Sequence, residues 1–163
     1  MSELNVSQIY QEALGFIAAS DYIKTEISRN GTNLLSGAPV LTVNLSFACE
    51  LFLKAIYKIK KSNYEKKHGL KNLYEGLPKE EKNKIEQKYK IECEEKLKGN
   101  NKLRLRNIDK CLNAYDNAFV EWRYYFELKD KSLCVSWIDF EILIHVLSEV
   151  VQSYLDNEEE GNI

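Results

Sequence analysis

Five side chains stand out by type and spacing: Glu50, Lys54, His68, Arg123 and Glu127. Glu50 and Lys54 are four residues apart, and so are Arg123 and Glu127, so each pair lies one turn apart on a helix face. Arginine holds a phosphate through two parallel hydrogen bonds and lysine holds it as a point charge, while an imidazole or a carboxylate can serve as a base. Two readings stay open. In the first, Glu50, Lys54, Arg123 and Glu127 satisfy one another inside a helical bundle and set its register. In the second they line a polar cleft with His68, where Arg123 and Lys54 hold a phosphate. Along an exposed helix a pair such as Glu50 and Lys54 contributes only about 0.2–0.5 kcal/mol. Partly buried, the same charges need further hydrogen-bonding partners to replace their lost hydration.

Other chemistry finds little support. No glycine-rich phosphate loop occurs. Cys49, Cys93, Cys111 and Cys134 are far apart, with no CxxC pair and no histidine at zinc-ligand spacing, so neither a metal nor a cofactor is expected. His68 stands just before a short helix, where an imidazole often makes a local contact. His145 lies among Ile142, Leu143, Ile144, Val146 and Leu147 and reads as a buried, satisfied histidine.

The elements that must position these groups are helices. Glycine is sparse at seven residues and proline occurs only at positions 39 and 78, which disfavours strands and turns. The fold expected is all-α, an up-and-down bundle of four to five long helices plus a short one. Residues 1–155 form the single domain and 156–163 a disordered acidic tail. Apolar spacing predicts a first helix capped by Ser2 and running to about Ile27, a loop over Arg29–Pro39, and an inner helix over Val40–Lys61 that is apolar on nearly every face. A two-turn helix over Gly69–Leu77 presents Leu70, Leu73 and Leu77, and a peripheral helix follows over Lys79–Lys98. The strongest periodicity is Leu105, Ile108, Leu112, Tyr115, Phe119, Trp122 and Phe126, which predicts one long helix over Leu103–Leu128. Five aromatic residues surround Arg123 in this stretch. Ser136 then caps a last helix over Trp137–Leu155.

The net charge of −2 conceals an asymmetry, for residues 54–106 hold 17 Lys and Arg against 8 Asp and Glu, a net of +9. Such a segment either meets a polyanion or is simply a solvated Lys-Glu face. Met1–Tyr10 lacks a basic region followed by an apolar run, and Val40–Ile59 contains Glu50, Lys54 and Lys58. The expectation is a cytoplasmic protein with reduced thiols and no membrane span.

Three stretches together resemble the HEPN family of small all-α domains: Ser46-Phe47-Ala48-Cys49-Glu50-Leu51-Phe52-Leu53-Lys54-Ala55, His68-Gly69-Leu70-Lys71-Asn72-Leu73-Tyr74, and Phe119-Val120-Glu121-Trp122-Arg123-Tyr124. The first looks like the A-x-E-L-x-L-K-A centre of the family's second helix, the second like its H-x-L-x-x-L element, and the third like the W-R-Y helix of one branch. The resemblance spans roughly residues 40–150. It implies a helical bundle, often a homodimer, that binds nucleotide, RNA or a cognate protein in bacterial defence or toxin–antitoxin systems. Many members are metal-independent ribonucleases carrying an arginine followed within a few residues by a histidine. Here Arg123 is followed by Tyr124, Tyr125, Phe126, Glu127, Leu128, Lys129 and Asp130, so that site does not carry over. The expectation is therefore binding without the standard nuclease site. The alternatives are a ribonuclease with a rearranged site, in which His68, Glu50 or Glu127 is the base, or a structural homodimerisation module.

Overall fold

The computed structural model describes residues 5–30, 34–60, 68–100, 103–116, 118 and 137–160. Six helices are found among them and no strand: α1 (Val6–Asn30), α2 (Leu34–Ile59), α3 (Leu70–Glu75), α4 (Lys79–Leu97), α5 (Ile108–Tyr115) and α6 (Trp137–Glu160). The all-α bundle expected from the sequence is thus present, with four long helices and two short ones.

Side-chain pairings give the direction of each long helix. Tyr10 meets Phe52, Phe16 stacks on Phe47, and Ile27 lies under Gly37, so positions rise along α1 as they fall along α2 and the two run antiparallel. Tyr10 and Lys24 of α1 meet Ser148 and Glu141 of α6, which makes α6 antiparallel to α1. Glu81, Lys84 and Lys88 of α4 meet Tyr154, Ser153 and Glu149 of α6, so α4 opposes α6. The long helices therefore alternate direction in chain order.

At the centre, α2 buries Leu41, Leu45, Ala48, Cys49, Phe52, Leu53, Ala55 and Ile56, residues that point to several sides of the helix. Burial of these side chains against α1, α3 and α6 supplies the main driving force for assembly. The segment Gly37–Ile59 is also long and apolar enough to span a membrane, and 61% of that apolar window is buried inside the bundle.

Several boundaries differ from those expected. The cap of α1 is Asn5 rather than Ser2: its Oδ1 accepts from the Ser7 amide while Gln8 Oε1 accepts from the Asn5 amide, a reciprocal capping box. The helix ends at Asn30 instead of Ile27. Pro39 does not delay α2, which starts at Leu34 and carries the proline inside its second turn. There the missing N–H forfeits one hydrogen bond near the helix start. Gly37 allows the close α1–α2 approach, because a Cβ there would fall 2.5 Å from Ile27 Cδ1. The last helix continues through Asp156 to Glu160, five residues past Leu155.

The largest departure concerns the long helix expected from Leu103. Residues 103–107 are not helical, and α5 starts at Ile108 with Asn107 as its cap, whose side chain accepts from the Lys110 amide at 2.9 Å. The backbone of Arg106 is committed to tertiary bonds instead. Its N–H donates to Asp139 Oδ2 at 3.2 Å and its carbonyl accepts from the Tyr89 hydroxyl at 2.7 Å. The Arg106 guanidinium adds a two-pronged pair with Asp139, at 2.5 and 2.9 Å. Asp139 is fully buried, and Tyr115 stacks on the adjacent Phe140 with ring centroids 3.9 Å apart. The remainder of the expected helix, with Arg123 and Glu127, lies outside the described residues.

This pair fixes α5 on α6. Removing the arginine leaves a buried carboxylate without its cation, so Arg106→Ala is expected to destabilise the fold by about 3 kcal/mol. Thermal unfolding followed by circular dichroism checks it; an unchanged midpoint would contradict this account of α5.

Candidate functional site

The site begins with a helix too short to stand alone. Six residues cannot offset the cost of helix nucleation, so α3 depends on its surroundings. Leu70, Leu73 and Leu77 are buried, as the apolar spacing predicts, and Tyr74 is buried with them. The ends are held separately. At the start, the Lys71 amide donates to Asp116 Oδ1 at 2.7 Å from the residue that closes α5. Near the end, the Tyr57 hydroxyl of α2 donates to the Leu73 carbonyl at 2.9 Å. Tyr57 comes so close to Gly76 that a Cβ there would lie 2.2 Å from its hydroxyl oxygen.

Just before α3 stands His68. Its Nδ1 lies 2.9 Å from Glu50 Oε1, and the same oxygen accepts from Lys54 Nζ at 2.5 Å. Glu50 is buried in α2 while the imidazole is largely exposed, with 76% of its side chain accessible. A carboxylate is an acceptor only, so Nδ1 carries the hydrogen and the neutral ring presents Nε2 as its basic atom. Chemically, the cluster is an oriented imidazole beside a lysine ammonium, at the edge of the bundle.

Of the five residues singled out from the sequence, Glu50, Lys54 and His68 come together. Arg123 and Glu127 lie outside the described residues. His145 corrects the expectation of burial, for it is exposed. On α6 the buried positions are Phe140, Leu143, Ile144, Val146, Leu147, Val150 and Val151, and position 145 falls between them on the outward side.

Two further clusters were not evident from sequence. Glu81 is buried near the start of α4, and its Oε1 accepts from Lys60 Nζ and from the Tyr154 hydroxyl, each at 2.8 Å. Lys60 and Lys84 each place an ammonium 4.4 Å from the centre of the Tyr154 ring. Together with Lys88 and Glu149, these contacts join the basic α4 to α6. Part of the positive excess is thus spent inside the fold.

The second feature is an open groove of ≈ 490 Å³ between α4 and the 103–109 segment, bordered by Tyr89, Cys93, Leu97, Leu105 and Ile108. Burial pushes the Cys93 thiol up, as it does Cys49 and Cys111, so none of the three is set up as a thiolate nucleophile. Among the described residues no group of three or more His, Cys, Asp or Glu could hold a metal ion.

Glu50→Gln keeps the shape of the side chain but removes the charge that both Lys54 and His68 meet. Hydrogen bonds to charged groups are worth about 1.5–3 kcal/mol, so a loss of about 2 kcal/mol in chemical denaturation is expected. A variant as stable as the parent would contradict the pairing. Compared with family models, with curated proteins and with solved structures, the chain gave no match.

Proposed function

We propose that this chain is a HEPN-like helical domain that binds RNA or nucleotide through phosphate contacts at the Glu50–Lys54–His68 edge, without the standard nuclease site of that family. The observation that carries the reading is the single Glu50 oxygen shared by the Lys54 ammonium and the His68 imidazole. The buried carboxylate holds a largely exposed imidazole and a lysine whose side chain is 16% accessible, without exposing much negative charge of its own. Arg123, in the stretch that resembles the family's W-R-Y helix, is proposed as a further cation for the phosphate, with Glu127 as its positioning partner. The resemblance further assigns the domain to a homodimer in a bacterial defence or toxin–antitoxin setting.

One observation favours a second reading, a metal-independent ribonuclease with a rearranged site. The Glu50–His68 hydrogen bond leaves Nε2 free to act as a base. His68 would take the 2′-hydroxyl proton as that oxygen closes on phosphorus. The bond from phosphorus to the 5′-oxygen would break, with water supplying the leaving oxygen's proton. Lys54 and Arg123 would face the developing charge.

Both readings are tested with the purified chain and an end-labelled mixed RNA pool in chelator. Retained RNA is expected to fall steeply between about 50 and 200 mM salt, and to fall several-fold in Lys54→Ala and Arg123→Ala. Affinity that stays flat with salt would overturn phosphate binding. Cleavage that disappears in His68→Ala establishes the ribonuclease; retention without cleavage establishes the binding domain. Neither retention nor cleavage would leave a helical module whose partner is protein.

A further inference from the structure

The Glu50–His68 contact joins residues from different parts of the chain, and a residue outside the pair holds it in register. Asp116 closes α5, and its Oδ1 takes the Lys71 amide at 2.7 Å, 45 residues away in sequence. Between Lys71 and His68 the chain passes Gly69, tight against the same carboxylate. A Cβ on Gly69 would sit 3.1 Å from Asp116 Oδ1 and 3.2 Å from Asn72 Nδ2. Gly69 has φ −69° and ψ 121°, values open to any residue, so close approach rather than backbone conformation is what favours glycine here.

Asp116 sits at the end of a well-packed helix. The preceding Tyr115 is buried and stacked on Phe140, and Cys111 and Leu112 of the same helix are fully packed. A continuous set of contacts therefore runs from α6 through α5 and Asp116 to the 68–71 turn, and from His68 to Glu50 on α2. From this geometry we infer that Asp116 is a positioning residue for His68, acting through the Lys71 amide and Gly69 to seat Nδ1 on Glu50. Asp116 touches no ligand in this account. Its effect is on which imidazole nitrogen carries the proton, and so on which atom the site offers to a phosphate or a hydroxyl. That consequence rests on the function proposed above, but the positioning does not.

The tautomer of His68 can be read by 15N NMR without RNA, so failure of this inference and failure of the RNA reading are distinguishable. With the ring in its neutral form, the parent protein is expected to show Nδ1 protonated. Asp116→Ala should shift the signal toward the Nε2–H tautomer that free imidazoles favour. Gly69→Ala should do the same by pushing Asp116 aside. Asp116→Asn keeps an acceptor for the Lys71 amide and should retain the parent tautomer. Ile85→Val weakens the core in α4 and should lower the melting temperature with the tautomer unchanged. The inference is overturned if Nδ1 stays protonated in Asp116→Ala, or if Asp116→Asn behaves like Asp116→Ala. Should Asp116→Ala fail to fold, Gly69→Ala is read in its place: a shift toward the Nε2–H tautomer supports the inference, and a retained Nδ1–H overturns it.

Discussion

A helix of six residues has almost no stability of its own in water, and the candidate site is built on one. The cost of starting α3 is met by three buried leucines and by two hydrogen bonds that arrive from other helices. Tyr57 serves the Leu73 carbonyl from α2, and Asp116 serves the Lys71 amide from α5. These are terminal groups that a helix leaves without internal partners. Because His68 directly precedes this helix, whatever fixes α3 also fixes the imidazole. The chemistry at Glu50 is therefore inherited from packing elsewhere in the bundle.

Electrostatics follow the same pattern of distant support. The Arg106–Asp139 pair sets the entrance to α5 and keeps residues 103–107 out of the helix. Glu81 gathers Lys60 and Tyr154 and ties the end of α2 to α4 and α6. Lysines in the basic middle of the chain thus contribute to assembly. Those contacts account for part of the charge asymmetry without any external polyanion.

Much of the fold was legible because apolar residues recur at helical spacing. Leu70, Leu73 and Leu77 marked α3, and the all-round apolar character of α2 marked it as central. Boundaries were less legible, for local reasons that can be named. Ser2 competed with the Asn5–Gln8 capping box, and Pro39 is tolerated in the second turn of α2. A strict heptad from Leu105 suggested a continuous helix that the tertiary bonds of Arg106 exclude. At the site, Glu50, Lys54 and His68 could be selected by residue type and spacing. Asp116 could not, since its partner lies 45 residues away. Nor could Asp139, since its partner Arg106 lies 33 residues away. His145 shows the opposite error, a polar residue in an apolar run that lies on the outer face.

The central claim is that α3 is held by the bundle as a whole rather than by itself. Native-state hydrogen exchange at the Lys71 and Leu73 amides tests it most directly. If Asp116, Tyr57 and the buried leucines secure the helix, both amides exchange only through openings nearly as costly as those of the α2 core. Exchange as fast as that of a frayed surface turn would contradict the claim, and the ordered placement of His68 on Glu50 would fall with it.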